Sequence, residues 1–234
     1  MHTLMLLPLQ ALLWYCCVLI PAGYARDIGA NPEINRRYLN PDIKEWVQRF
    51  ETEGREVYDK RHEIVAATGV KPGMVVADVG AGTGLFTRLF SAKVGRTGKV
   101  IAVDISKPFI ENIIRTSKSQ GLDNIIGLVN TQTDTRLSPN SVDLVFISDT
   151  YHHFELPIPI MQSIHRALRP GGTVVVVDFK RAEGVSSPWV MEHVRGGKED
   201  VIKEIEAQGF KLIEDKDFLR DNYFLKFRKL DLAN

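Results

Sequence analysis

Short β-branched or apolar runs alternate along this chain with longer stretches whose apolar residues recur at helical spacing. The runs at 75–79, 100–103, 125–129, 144–148 and 173–177 are four or five residues long and rich in Val and Ile, the length and composition of buried strands. Between them, Leu85, Phe86, Leu89 and Phe90, then Phe109, Ile110, Ile113 and Ile114, then Ile160, Met161, Ile164 and Leu168 repeat every three or four residues. That spacing predicts a helix after the glycine turn at 80–84 and further helices at 108–119 and 157–168. A last helix is predicted at 198–208, followed by two strands at 210–213 and 222–227. Upstream, Asn40 and Pro41 offer a cap and a first-turn proline to a helix carrying Ile43, Trp46, Val47 and Phe50. A second helix at 55–68 ends at Gly69 and Pro72, and residues 26–39, broken by Gly29, Asn31 and Pro32, read as an irregular lead. Helices alternating with short strands across brief links define an α/β protein with a doubly wound, Rossmann-like parallel sheet, whose ligands sit above the carboxyl ends of the strands.

The 234 residues suffice for one domain with extensions. A formal charge of +1, with both signs spread along the chain, gives no basic footprint, so no nucleic-acid partner is expected. Residues 1–25 contain no Asp, Glu, Lys or Arg, and 4–20 is apolar apart from Gln10. Small residues at 23 and 25 then precede the first charges, Arg26 and Asp27. This reads as a secretory signal peptide of an exported, periplasmic or secreted protein. An uncleaved membrane anchor is the alternative, because about 17 apolar residues is the lower limit for a span. Both cysteines, Cys16 and Cys17, fall in this segment, so the rest of the chain has no disulfide, thiol nucleophile or cysteine metal site. The expected organisation is 1–25 signal, 26–54 extension with a helix, and 55–234 the catalytic domain.

The glycines at 80, 82 and 84 follow the strand Val75–Val79 directly, where a backbone free of Cβ atoms approaches a ligand closely and a helix start offers unpaired N–H groups. The spacing is not that of a dinucleotide fingerprint, since Leu85 stands where a third glycine would fall. Asp78 before the turn would repel a pyrophosphate and suits a cationic amino group. Asp104, closing the next strand twenty residues after Gly84, is placed to accept ribose hydroxyls.

Asp78-Val79-Gly80-Ala81-Gly82-Thr83-Gly84 resembles motif I of class I S-adenosylmethionine-dependent methyltransferases, and Ala102-Val103-Asp104 resembles their motif II. Ser141–Phe146 and Ala167-Leu168-Arg169-Pro170-Gly171-Gly172 resemble the fourth strand and the turn before strand five of the ubiquinone/menaquinone-type small-molecule members. The resemblance spans roughly residues 55–227. It implies a seven-stranded sheet with an antiparallel hairpin at one edge and S-adenosylmethionine as cofactor, and methyl transfer to a small-molecule acceptor. Its cofactor residues would be Asp78, Gly80, Ala81, Gly82, Thr83, Gly84, Asp104 and Ile105, with Asp134, in the stretch after the third strand, either against the adenine or a turn residue. In the leading helix, Arg55, Tyr58 and Arg61 are either cofactor contacts or a solvated face of ion pairs.

The fourth strand delivers Asp149-Thr150-Tyr151-His152-His153, the densest titratable cluster of the chain. The two prolines found here in nucleic-acid amino-group methyltransferases are absent. Methyl transfer requires alignment and exclusion of water, with a base for an acidic acceptor. His152 is the candidate base, Tyr151 and His153 are the orienting groups, and Asp149 is a further catalytic candidate; loop hydrogen bonding is the competing role for each histidine. Asp149 and Asp178 sit where catechol-type members hold magnesium, but Phe179 replaces a second polar ligand, and no metal is expected. After strand five, a short helix opened by Ser187-Pro188 and closed by Gly196-Gly197 is either a substrate lid, with Trp189, His193 and Arg195 toward the acceptor, or a helix packed on the surface. Lysis or hydrolysis of the same cofactor, or non-enzymatic nucleoside binding by a secreted protein, are the alternatives.

Overall fold

The computed structural model describes residues 29–231. The signal or anchor segment and both cysteines lie outside the described residues. The chain enters through a 3₁₀ turn at Pro32–Asn35 and four helices, α1 (Arg36–Leu39), α2 (Ile43–Phe50), α3 (Glu56–Asp59) and α4 (Arg61–Ala67). It then alternates through β1 (Val75–Val79), α5 (Leu85–Val94), β2 (Lys99–Asp104), α6 (Lys107–Ser119), β3 (Ile125–Val129), β4 (Val142–Ser148), α7 (Pro157–Ala167) and β5 (Leu168–Phe179). The helices α8 (Pro188–His193) and α9 (Lys198–Glu206) and the strands β6 (Phe210–Lys216) and β7 (Asn222–Lys229) complete it.

The seven strands form one sheet in the order β3-β2-β1-β4-β5-β7-β6. β1 to β5 pair in parallel, and β7 runs antiparallel to both β5 and β6, which is the expected edge hairpin. Strand order reverses between β1 and β4, the switch point above which a doubly wound sheet leaves a crevice. Because alternate strand residues face opposite sides, Val174 and Val176 pack with α7 and α9 residues such as Ile164 and Ile205, whereas Val175 and Val177 pack with Ile64, Phe90 and Ile113 of α4, α5 and α6. Burial of these apolar faces, at about 25 cal/mol per Å2, holds the layers together.

Three elements differ from the sequence pattern. Residues 26–39 are not irregular over their described part. Asn31 caps the 3₁₀ turn through Glu33 N, and Ala30 N donates to Phe154 O at 2.9 Å. The short helices there are too brief to show an apolar period, and contacts with the 150s loop fix them instead. The helix at 55–68 is broken at Lys60, whose backbone (φ −91°, ψ 6°) separates α3 from α4. β5 starts at Leu168, five residues before the valine run, because Leu168 pairs with Val142 ahead of an irregularity in register. Pro170, Gly171 and Gly172 have no strand partner in that register and form the irregularity between Leu168 and Thr173.

Candidate active site

One cavity of about 330 Å3 opens above the carboxyl ends of β1, β2, β4 and β5, roofed by α1 and α2. Its cofactor-like half is built by the glycine turn. Gly80, Gly82 and Gly84 all take positive φ (76°, 52° and 83°), and a Cβ on Gly80 would stand 2.2 Å from Thr150 Cγ2. Only glycine lets β4's loop come this close. Gly80, Ala81, Gly82 and Thr83 line the cavity; Gly84 lies behind them as the left-handed cap of α5.

Two carboxyls close this half. Asp78 accepts a hydrogen bond from Thr87 Oγ1 at 2.6 Å, and burial, with Asp104 nearby, pushes its pKa up to about 7 against the pull of Thr87. Asp104 accepts from Gly82 N and Ser106 N, both at 2.8 Å, and burial pushes it up to about 6. A buried acid with a raised pKa is one whose charge lacks a counter-ion. Ile105 and Phe109 form an apolar wall beside Asp104, followed by Asn130, Thr131 and Gln132. Thr83 Oγ1 and Ser148 Oγ, on two lining residues, are buried without a protein partner.

Asp134 is not at this wall. Its carboxylate accepts from Arg136 N at 2.6 Å and Ser163 Oγ at 3.1 Å and pairs with Arg166. The backbone amide holds its pKa below the usual carboxylate range. It is a turn residue, because an Asp two residues before an amide closes an Asx turn more readily than it reaches a ligand. The polar residues that do face the cavity, Asn130 to Gln132, stand immediately after β3.

The second half is aromatic and rich in histidine. His152, 3% exposed, faces Asp178 Oδ1 through Nδ1 at 2.7 Å, and its amide donates to Asp178 Oδ2 at 3.0 Å. His153 Nδ1 lies 2.9 Å from Asn35 Oδ1. His193 on α8 stacks on Trp189 at 4.5 Å. Burial, reinforced by the neighbouring histidines and Arg37, pushes His153 down to about 2; burial, with His152 and Arg37, pushes His193 down to about 4. Phe179 and Trp189 complete this wall. Asp149, at φ 45°, lines the cavity with its carboxylate paired to Arg55 and accepting from Asn222 Nδ2 at 2.7 Å. Burial raises its pKa, and the Arg55 charge opposes the shift.

Two predicted residues point elsewhere. Tyr151 opens a second 3₁₀ turn, Tyr151–His153, is fully buried and donates to Glu204 Oε2 at 3.0 Å; burial and that carboxylate lift its pKa well above the usual phenol. Arg195 makes a two-pronged pair with Glu204 at 2.7 and 2.6 Å, so Tyr151, Glu204 and Arg195 form a strut under the site. A candidate substrate clamp is thus committed to a partner on α9, a contact that sequence spacing does not reveal.

The roof carries no mark in the sequence pattern. Trp46, Arg49 and Phe50 of α2 and Asn35 and Tyr38 of the lead line the cavity. Glu51 anchors α2 to α5 through Arg88 at 2.6 Å. An indole and a phenyl ring on one helical face are equally a core stripe, so the pattern by itself did not reveal a lid.

Residues 77–176 match the family model described as a methyltransferase domain. Over 127 residues the chain is 35% identical to a ubiquinone/menaquinone biosynthesis C-methyltransferase UbiE of Hydrogenovibrio crunogenus, a match covering 52% of this chain and 48% of that protein. The chain therefore spans about half the length of the curated relatives it matches. A SAM-dependent methyltransferase from Aquifex aeolicus superposes with a TM-score of 0.72 at 23% identity, over 82% of this chain and 100% of the other. A Haemonchus contortus phosphoethanolamine N-methyltransferase 2, solved in complex with S-adenosyl-L-methionine, superposes with a TM-score of 0.65 at 16% identity, over 82% of this chain and 61% of that one.

Proposed function

We propose that the chain is an S-adenosylmethionine-dependent methyltransferase acting on a small-molecule acceptor, a reading supported by the match of residues 77–176 to the methyltransferase-domain model and by the likeness of the fold to a SAM-dependent methyltransferase. The observation that carries this is one roofed cavity with two chemically distinct halves, a glycine turn flanked by two counter-ion-poor acids and an aromatic, histidine-lined half. When bound, S-adenosylmethionine supplies a methyl group on a positively charged sulfur. Asp78 would hold its amino group, Asp104 the ribose hydroxyls, and Ile105, Phe109 and the 130–132 stretch the adenine. The glycine cradle and the unpartnered Thr83 and Ser148 hydroxyls fit a polar ligand of this length. Across the cavity His152, fixed through Nδ1, presents Nε2 as an acceptor for a proton or hydrogen bond from the substrate. The aromatic rings of the roof and of α8 exclude water, which strengthens every electrostatic contact inside.

Calorimetric titration with S-adenosylmethionine and S-adenosylhomocysteine tests this reading. Both should bind, and Asp104→Asn should weaken binding by roughly 10- to 100-fold, the loss of hydrogen bonds to a charged acceptor. Failure of both ligands to bind the wild-type protein would sink the methyltransferase reading.

We also infer export of the chain through residues 1–25. Support comes from their uncharged apolar run and the small residues at 23 and 25. Amino-terminal sequencing of the protein recovered outside the cytosol should begin at Arg26; retention of Met1 there would favour a membrane tether.

A further inference from the structure

We infer that His152, His153 and His193 together form a binding site for one divalent transition-metal cation of the zinc type, at the acceptor end of the cavity. Whether the ion binds does not depend on the methyltransferase reading; what it does there rests on that reading.

The three imidazoles converge, their ring centroids standing 4.2 Å (His152–His153), 5.1 Å (His152–His193) and 5.1 Å (His153–His193) apart. One nitrogen from each lies within 4.8 Å of the other two. The hydrogen bonds decide which nitrogen is free to ligate for two of the rings. Asn35 uses its amide nitrogen to donate to His153 O at 3.0 Å and Glu155 Oε1 at 2.8 Å, so its oxygen is the atom facing His153 Nδ1. His153 must therefore carry its proton on Nδ1 and a lone pair on Nε2. Asp178, whose oxygens accept from the His152 and Phe179 amides, imposes the same tautomer on His152. His152 Nε2 is then a bare lone pair, buried and without a protein partner. Leaving a buried acceptor unsatisfied costs about 1–3 kcal/mol, and neither neighbouring imidazole donates to it.

A cation does. Three histidines with an open fourth position are a catalytic zinc set, and metal-bound histidines usually donate the remaining N–H to a carboxylate or carbonyl oxygen. Asp178 and Asn35 occupy that outer position here, which also accounts for a buried carboxylate at the end of β5 that stands behind His152 rather than in the cavity wall. Nitrogens bound at about 2.0–2.1 Å in a tetrahedron stand about 3.3 Å apart, so from a 4.8 Å spread the rings need to close by up to about 1.5 Å. His193 sits on the six-residue α8 and is the ring most able to make that adjustment. Asp149 is not a fourth ligand, since Arg55 holds it. With the ion bound, His152 Nε2 is a ligand and no longer a free base, and the ion would take over that task, receiving an acceptor through an oxygen at the open position and lowering the pKa of an enol or phenol as bound zinc does for water.

Cobalt(II) titration of the chelator-treated full chain, followed by visible absorption, reads the site directly. One cobalt per chain with the strong bands of tetrahedral coordination is expected, displaced by zinc. His193→Ala, on a short surface helix and therefore safe for folding, should weaken binding at least about 100-fold, and Asn35→Ala and Asp178→Asn about 10- to 100-fold. Asp104→Asn, impaired for the cofactor, should still bind cobalt as the wild type does, which separates this inference from the methyltransferase reading. Absence of the bands, or equal affinity in His193→Ala at an unchanged melting temperature, would overturn it.

Discussion

A single glycine shows how closely this site is drawn. Gly80 combines positive φ with a backbone so near β4's loop that an added Cβ would meet Thr150 Cγ2 at 2.2 Å, so Gly80→Ala should lower stability by about 1–3 kcal/mol and displace the loop that lines the cavity. Urea unfolding and cofactor titration check it, and a normal affinity would show that the turn tolerates a side chain. Gly80, Asp78 and Asp104 were legible from sequence because strand, turn and helix follow one another without a gap, and local chemistry fixes what such a turn can hold. Asp134, Tyr151 and Arg195 were not. Asp134 is spent on a local turn closed by Arg136 N, whereas Tyr151 and Arg195 are drawn to Glu204 on a helix distant in sequence from Tyr151. Asp78 and Asp104 also make stability depend on pH. Their folded pKa values, about 7 and about 6, exceed the unfolded value of 3.8, so between about pH 4 and 7 the native state holds more protons than the unfolded chain. Stability should therefore fall as pH rises through this window, by at most about 1.4 kcal/mol per pH unit per group. Asp78→Asn should flatten the slope; thermal melts from about pH 5 to 8 measure it.

Among the elements, α2 matters more than its length suggests. Eight residues cannot hold a helix in isolation; α2 persists through Asp42, which caps Lys44 N at 2.9 Å, through Tyr38 against Trp46 at 4.6 Å, and through the Glu51–Arg88 pair. Both partners of that pair are mostly buried, so Glu51→Ala leaves a guanidinium uncompensated above the glycine turn. Faster hydrogen exchange over α2 and a roughly 3- to 10-fold weaker cofactor affinity are expected. Unchanged exchange would mean that the aromatic contacts alone hold the roof. The two ends of α8 differ: Val194 beyond it is buried while Trp189 is 49% exposed, so one side is seated and the other is free to meet a ligand. The helical period announced α5, α6 and α7, whose apolar faces are long. It could not announce α1, because four residues complete barely one turn.

For the whole molecule, the sheet separates stability from chemistry by its two ends. At the amino ends of the strands Asp143 accepts from Arg169 Nη1 at 2.7 and 2.8 Å and from Val75 N at 2.8 Å, joining β1, β4 and β5 far from the cavity. Asp143→Ala should cost about 1–3 kcal/mol in chemical denaturation and leave cofactor affinity unchanged; a matching loss of affinity would show that the two ends are coupled. The alternation of apolar runs and helical stretches determined the α/β class, the parallel core and the glycine turn, because strand burial, helical period and the glycine requirement are local properties that each segment carries in its own residues. The tertiary structure alone decided that the lead roofs the site, that Tyr151 and Arg195 turn away to Glu204, and that His193 comes to within ring contact of His152 and His153 from about forty residues downstream. Those outcomes depend on which distant groups the fold brings within hydrogen-bonding reach, and no spacing along the chain encodes that.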